Sequence, residues 1–244
     1  MVDSSEDCVA VASHRYSTTH GSLKVGKPSG SSFPACFRVF DVFDEEGGLD
    51  RAISSLKNKY RGAFNLVSCQ FSLHYGCSSE SKMDFFLKCV SSALVPGGYF
   101  VGTTVNDTVL LNRVREKGTQ FGNSVYTIRM CGECPTLPVG DSVGFGLKYT
   151  TSVENLVTDT PEYVVPWKAF CALCEKHHLT LEEDASLLEY FQQNIETEMG
   201  KNLCALLSNK RSRDGSINLS QEETEAILLY RVFSFKRRDD QPTS

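Results

Sequence analysis

One stretch, residues 64–104, constrains the fold of this chain more than any other. Residues 64–71 form a short and nearly continuous apolar run, which is typical of a strand buried on both faces of a parallel sheet. Residues 80–94 carry apolar side chains at a helical period, and a second apolar run at 99–101 follows a Pro-Gly-Gly turn signal. The stretch therefore predicts a strand–helix–strand unit with parallel strands and a right-handed crossover.

Polar side chains follow both predicted strands, at the end where open parallel sheets bind ligands. After the first strand come Gln70, His74 and Tyr75, and after the second come Thr103, Thr104 and Asn106. We therefore expect a ligand site at this edge of the sheet.

Composition limits the class of protein. The chain has 244 residues, of which 41% are hydrophobic and 23% charged, so we expect one globular domain over residues 1–238 and a polar tail over 239–244. The ten cysteines are scattered, which favours reduced thiols over a disulfide framework. A net charge of -5 argues against broad nucleic-acid binding by counterion release but allows a nucleotide-like ligand held in one pocket.

Zinc binding is an alternative reading of the cysteines. Two pairs have the C-x-x-C spacing of zinc ligands: Cys131 with Cys134, and Cys171 with Cys174. The second pair falls on the buried stripe of a predicted helix, whereas the first lies in a loop rich in Gly and Pro, where a zinc knuckle is more common. We assign no metal ligand and keep a zinc-stabilised binding protein as an alternative.

Four blocks of sequence, in order, resemble the mRNA cap guanine-N7 methyltransferases: residues 68–75, 96–104, 121–126 and 161–166. The resemblance implies an α/β fold with the Rossmann-like sheet of class I methyltransferases, mostly parallel with an antiparallel closing strand, which residues 226–236 fit. It also implies S-adenosylmethionine as the cofactor and a capped RNA 5′ end as the substrate. Nuclear localisation, and partners among other capping enzymes or the transcription machinery, are implied in the same way.

The resemblance assigns binding roles to eight residues. Those expected to face the cofactor are Asp3, Asp41, Gln70 and Tyr75. Those expected to face the cap are Arg15, His74, Glu162 and Tyr230. Several also have plain structural readings: Glu162 as a solvated loop residue, Gln70 as a partner of strand-end backbone groups, and Tyr230 as a core aromatic.

The chemistry itself predicts positioning residues and no catalytic base. Guanine N7 carries a lone pair and no proton, so the protein has only to align it with a methyl donor and exclude water. A carboxylate such as Glu162 accepts hydrogen bonds from guanine N1 and the exocyclic amine. It also favours the positive charge that develops on methylation.

The amino terminus departs from the family pattern. The resemblance matches Val2 and Asp3 to the end of the second strand of the sheet, so the family's first strand and Gly-rich loop are missing upstream. We therefore expect a sheet that is incomplete at the amino terminus, with an unpaired edge. Two interpretations remain: an active guanine-N7 methyltransferase, or a non-catalytic cap-binding or regulatory module derived from that family.

Overall fold

A computed structural model describes residues 1–21, 35–60, 63–132, 143–205 and 219–239 of the chain. These residues divide into two units, 1–61 and 62–244, and each unit is described by itself.

The first unit pairs two short parallel strands. Strand β1 (Val2–Asp3) lies beside β2 (Arg38–Val39), and helix α1 (Glu6–Gly21) follows β1. Residues 17–32 are rich in Ser, Thr, Gly and Lys, a composition that predicts an extended surface loop. The prediction is wrong as far as Gly21, because α1 continues to that residue, and the rest of the predicted loop lies outside the described residues. The sequence of residues 49–60 predicts a short helix, and α2 (Leu49–Tyr60) has these bounds.

The second unit begins with the predicted strand–helix–strand unit. Strand β3 (Phe64–Gln70) runs parallel to β4 (Leu94–Val105), and helices α3 (Leu73–Gly76) and α4 (Glu80–Ala93) connect them. Helix α4 starts where the Ser79 side chain accepts a hydrogen bond from the Lys82 amide, a standard N-cap. Its buried side chains repeat at the helical period that the sequence shows: Met83, Phe86, Leu87 and Val90.

The Pro-Gly-Gly turn signal is absorbed into a strand. Strand β4 begins before it, at Leu94, and pairs with β3 through a register shift between Phe64 and Leu66. Gly97 takes a φ of 75°, which a residue without a Cβ adopts at low cost. Because β4 extends to Val105, Thr103 and Thr104 lie inside the strand rather than after it.

The four strands of the main sheet are ordered β3-β4-β10-β9, with β9 (Leu179–Ser186) and β10 (Tyr230–Arg237). Strand β10 is antiparallel to both of its neighbours, so β3, β4 and β9 all run in the same direction. Phe233 and Phe235 of β10 pack on Phe100 of β4 at ring-centroid distances of 5.2 and 6.3 Å. The predicted α/β class and the antiparallel closing strand are confirmed, although the strand begins at Tyr230 rather than at residue 226, because α9 (Gln221–Ile227) takes up the start of the predicted range.

Strand β3 is less buried than the sequence predicts. Leu66 is 55% exposed, and of the seven residues of β3 Cys69 alone is buried. The expectation of burial on both faces is wrong because β3 is the edge strand and pairs, among the described strands, with β4 only. The other edge of β3 has no partner among the described strands.

A second, fully antiparallel sheet covers residues that the sequence assigns differently. Its strands, in order, are β5 (Gln120–Gly122), β6 (Tyr126–Met130), β7 (Lys148–Val153) and β8 (Val157–Tyr163). The sequence predicts one strand over residues 121–130 and another over 143–149. The first region forms the β5–β6 hairpin instead, the second strand begins later, at Lys148, and the sequence does not predict β8. Helix α5 (Asp107–Lys117) packs with this sheet in one core that includes Leu110, Val114, Ile128 and Tyr149.

The remaining described helices follow the second sheet. They are α6 (Trp167–Lys176), α7 (Leu187–Asn194), α8 (Glu198–Ala205) and α9 (Gln221–Ile227). The sequence of residues 187–197 predicts a short helix, which ends at Asn194 in the structure, and the sequence does not predict α8. Within the described parts of the chain, every helix is too short or too polar to cross a membrane.

Candidate functional site

A histidine and a glutamate meet at the carboxyl edge of β3. His74 lies on α3, directly after β3, and Glu162 is the second-to-last residue of β8. The Nε2 atom of His74 is 3.5 Å from Oε1 of Glu162, and the two residues are 3% and 7% exposed. The structure thus places together two of the four residues that were expected to face the cap.

Tyr149 is the hydrogen-bond partner of Glu162. The two residues are opposite each other in the β7–β8 ladder, and the Tyr149 hydroxyl donates to Oε2 of Glu162 at 2.6 Å. Oε1 is therefore left on the side of His74. No local pattern in the sequence points to Tyr149. The plain reading of Glu162 as a solvated loop residue is wrong because Glu162 is buried in a strand.

Burial sets the protonation states of this cluster. It lowers the pKa of His74 to about 4, so the imidazole is neutral near pH 7. Burial raises the pKa of Glu162, and the hydrogen bond from Tyr149 opposes that shift. The pKa of Tyr149 is well above its usual value, first because of burial and then because of the charge of Glu162.

The imidazole of His74 has unused hydrogen-bonding capacity. Neither ring nitrogen has a hydrogen-bond partner among the described residues, although both are buried. Buried polar atoms in proteins are nearly always paired, and exceptions often mark a ligand site. A neutral imidazole has one donor and one acceptor nitrogen, so His74 presents both next to the carboxylate oxygen of Glu162.

Aromatic rings surround the histidine and the carboxylate. The ring of Tyr75 lies 4.3 Å from that of His74. The pKa of Tyr230 is raised to about 12, first by burial and then by the nearby Glu162 and Tyr75. These groups are therefore close enough to interact electrostatically. Tyr230, expected to face the cap, therefore belongs to the same cluster.

Phe71 is an aromatic member that the sequence analysis missed. It directly follows β3, is 49% exposed, and contacts Tyr230 edge to face at 5.2 Å. Its φ is 50°, a left-handed conformation that is costly for an aromatic residue, and its amide donates to the carbonyl of Thr103 at 2.9 Å. Such backbone strain at an exposed aromatic residue is common at functional sites.

Gln70 makes internal hydrogen bonds at the end of β3. Its Oε1 accepts from the Thr103 hydroxyl at 2.6 Å, and its Nε2 donates to Ser68 Oγ at 3.0 Å. These contacts fit its structural reading, while its role toward a cofactor stays a prediction.

Three of the predicted site residues lie in the first unit. Asp3 ends β1 and Asp41 comes two residues after β2, so both carboxylates follow adjacent parallel strands. Asp3 accepts from the Ser5 amide at 2.8 Å, and Asp41 accepts from the Phe43 amide at 2.9 Å. Arg15 is exposed on α1. Their place relative to the His74–Glu162 cluster stays a prediction.

The zinc alternative receives no support from the described residues, which contain no group of three or more His, Cys, Asp or Glu side chains suited to a metal. Cys174 is buried in α6, where burial raises its pKa. Of the other pair, Cys134 lies outside the described residues.

The fold and the cluster together define an α/β protein with a buried histidine–carboxylate pair near the carboxyl end of β3. A family model for the mRNA (guanine-N(7))-methyltransferase domain matches residues 1–238, so the chain belongs to that family. The family resemblance read from the sequence is confirmed.

Relatives of the chain carry the same family name. It is 34% identical to mRNA cap guanine-N(7) methyltransferase 1 of Oryza sativa subsp. japonica, over 87% of this chain and 56% of that protein. It is 30% identical to the mRNA cap guanine-N(7) methyltransferase of Schizosaccharomyces pombe, over 97% of this chain and 61% of that protein. The chain spans about half the length of the curated relatives that it matches.

The CcbJ methyltransferase from Streptomyces caelestis superposes with a TM-score of 0.48 at 12% identity, covering 98% of this chain and 74% of that one.

Proposed function

We propose that this chain is an mRNA cap guanine-N7 methyltransferase that uses S-adenosylmethionine as its methyl donor. The observation that carries the proposal is the contact between the buried carboxylate of Glu162 and the neutral imidazole of His74, which has no other polar partner among the described residues. Family membership over residues 1–238 supports it, and we propose that these residues act as one domain.

The cluster is complementary to the Watson–Crick edge of guanine. That edge presents the N1–H and N2–H donors beside the O6 acceptor, so it requires an acceptor next to a donor. Oε1 of Glu162 supplies the acceptor, and an N–H of neutral His74, 3.5 Å away, supplies the donor. Adenine presents the reverse order at the equivalent positions and would leave both groups mismatched.

The reaction needs no proton transfer to or from the protein. S-adenosylmethionine supplies an electrophilic methyl group when it is bound. Guanine becomes positively charged as N7 is methylated, and the carboxylate of Glu162 stabilises that charge in a site with little water. Tyr149 keeps the carboxylate in place through its hydrogen bond to Oε2.

Aromatic side chains would hold the flat faces of the ligand. Tyr230 and Phe71 contact each other edge to face, and Tyr75 lies against His74. Proteins commonly hold unpaired bases by stacking them on such rings while polar groups read the base edge. Tyr230 would therefore serve as a cap-binding residue, and Tyr75, predicted to face the cofactor, would lie where the base pocket meets the cofactor site.

The first unit offers groups suited to the cofactor and the cap phosphates. Carboxylates that follow adjacent parallel strands, as Asp3 and Asp41 do, are the kind of group that binds ribose hydroxyls and adenine in α/β proteins. Gln70 would hold the amino-acid moiety. Arg15, exposed on α1, would bind a cap phosphate. Action on nascent capped RNA would place the chain in the nucleus beside other capping enzymes.

A direct test is methyl transfer from labelled S-adenosylmethionine to GpppG-capped RNA. The purified chain is expected to methylate this RNA, and Glu162→Ala is expected to lose the activity. The matched control is Glu154→Ala, because Glu154 is an exposed carboxylate in the turn between β7 and β8. A folded chain that neither methylates capped RNA nor binds GpppG would contradict the proposal.

A further inference from the structure

We propose that Arg231 is a positioning residue that holds the two sides of the guanine pocket in register. The inference rests on the proposed function, because it concerns the same pocket. Arg231 does not touch the pocket itself. It acts on the Glu162 side through Asp107, which binds the segment that follows Glu162. It acts on Tyr230 because the two residues are neighbours in β10.

Arg231 lies at the centre of a buried ionic cluster. It is 5% exposed, and one terminal nitrogen donates to both carboxylate oxygens of Asp184 at 3.2 and 3.0 Å. The other terminal nitrogen donates to Asn106 at 2.9 Å and to Asp107 at 3.1 Å. The guanidinium carbon also lies 4.2 Å from the ring centroid of Trp167. The planar guanidinium group of Arg231 thus links β10, on which it lies, to β9, to the end of β4 and to the start of α6.

The first arm of the cluster reaches the Glu162 side of the pocket. Oδ1 of Asp107 accepts from Arg231, while Oδ2 accepts from the amide of Trp167 at 3.0 Å. Trp167 is the first residue of α6 and follows Glu162 by five residues. Between them, the Val164 amide donates to the Leu147 carbonyl at 2.8 Å. The segment that leaves β8 is therefore fixed at both ends.

The second arm reaches the Tyr230 side. Tyr230 and Arg231 are consecutive in β10, so their side chains point to opposite faces of the sheet. The Asn106 amide donates to the carbonyl of Leu229 at 2.7 Å, and the Asn106 side chain accepts from Arg231. Tyr230 is thus held between two residues that are both bonded to Asn106.

The fixed arrangement of hydrogen bonds, rather than a gain in stability, explains why position 231 carries a charged residue. Phe233 and Phe235 occupy the next two buried positions on the same face of β10, so an apolar residue would suit position 231 as well. Replacing buried ionic groups by apolar ones is often neutral or stabilising, whereas a hydrogen-bonded network specifies one arrangement. Arginine alone supplies a rigid planar fork with several fixed donors, which lysine cannot imitate.

The test compares Arg231→Lys with Arg238→Lys. Lysine keeps the positive charge between the carboxylates and removes the fork. Arg238 is a suitable control because it makes an ion pair, with Glu175 at 2.9 Å, on a partly exposed surface. Binding of GpppG and of S-adenosylmethionine is measured by calorimetry on the whole chain. Arg231→Lys is expected to weaken GpppG binding by about tenfold, the equivalent of one misplaced hydrogen-bonded group, and to leave S-adenosylmethionine binding unchanged.

A second readout does not depend on the proposed function. Amide hydrogen exchange is followed without ligand in peptides covering residues 162–170 and 228–233, with residues 94–101 as an internal reference. Arg231→Lys is expected to speed exchange in the first two peptides and not in the reference, and Arg238→Lys to change neither of the first two. If Arg231→Lys does not fold, Asp107→Asn replaces it, since an amide keeps one acceptor oxygen and loses the other.

The outcomes separate the two proposals. Failure of the wild-type chain to bind GpppG contradicts the proposed function, whatever Arg231 does. If the wild type binds GpppG and Arg231→Lys binds it equally well, or weakens both ligands alike, the positioning role of Arg231 is overturned. Unchanged exchange in residues 162–170 would overturn it as well.

Discussion

Tyr149 and Glu162 face each other across β7 and β8, and the tyrosine hydroxyl donates a 2.6 Å hydrogen bond to the buried carboxylate. A carboxylate in an apolar environment is costly unless hydrogen bonds compensate for the lost water. This contact stabilises the charged form of Glu162 and turns Oε1 toward His74. Tyr149 therefore holds the acceptor that the proposed guanine recognition requires.

Replacing Tyr149 with Phe is expected to weaken GpppG binding by about ten- to a hundredfold, because one hydrogen bond to a buried charged group contributes about 1.5–3 kcal/mol. The loss also removes the contact that opposes the rise in the pKa of Glu162, so binding is expected to fail at a higher pH than in the wild type. Calorimetric titrations across the acid range check both effects. Tyr190→Phe, at an exposed tyrosine of α7, is the control, and equal affinities in the two variants would contradict the prediction.

His74 is expected to make stability depend on pH. Burial lowers its folded-state pKa to about 4 from 6.5, so between these values the unfolded chain binds the extra proton. Neutral His74 therefore contributes to the free energy of unfolding above about pH 6.5. This contribution, about 3 kcal/mol in all, is lost as the pH falls toward about 4.

Urea unfolding of the wild type and of His74→Gln over this pH range measures the effect as a difference between the two proteins. The variant cannot titrate, so the difference in unfolding free energy is expected to change by about the same 3 kcal/mol. His14→Gln replaces an exposed histidine and is expected to follow the wild type. A difference that does not vary with pH would show that the pKa of His74 is the same in the folded and the unfolded chain, and would contradict the prediction.

The fold could be predicted where the signal is local. The β3–α4–β4 unit follows from apolar periodicity, and helix α2 has its predicted bounds for the same reason. Strand β8 could not be predicted, because Val157–Tyr163 is polar and contains Pro161. Proline is tolerated there because β8 is an edge strand that pairs, among the described strands, with β7 alone.

The site could be predicted only in part. The resemblance points to His74 and Glu162, and the structure brings them into contact. Tyr149 was missed because its partner depends on the register between β7 and β8, which no local pattern specifies. Arg231 had a signal that was not used. It stands at a buried position of an alternating aromatic strand, where a charge requires an acidic partner, but sequence cannot say which one.

Phe71 is expected to destabilise the fold through its backbone conformation while its ring contributes to ligand binding. A left-handed backbone costs a residue with a side chain about 1–2 kcal/mol, and asparagine tolerates it best. Phe71→Asn is therefore expected to lose less unfolding free energy than Tyr99→Asn, a control at a partly exposed aromatic residue in β4 with ordinary backbone geometry. GpppG binding is expected to weaken in Phe71→Asn only. Equal or larger destabilisation at Phe71 in urea unfolding would contradict this.

Tyr230 is expected to contribute its ring rather than its hydroxyl. Its pKa of about 12 keeps the phenol neutral, and its ring contacts Phe71 edge to face. Stacking of a base on an aromatic ring contributes about 1–3 kcal/mol, so Tyr230→Ala is expected to weaken GpppG binding by about ten- to a hundredfold. Tyr230→Phe keeps the ring and is expected to bind as the wild type does. Val232→Ala, on the same face of β10, controls for lost packing. If Tyr230→Phe binds as poorly as Tyr230→Ala, the hydroxyl makes the essential contact and the cap is held by a hydrogen bond from Tyr230 instead of by stacking.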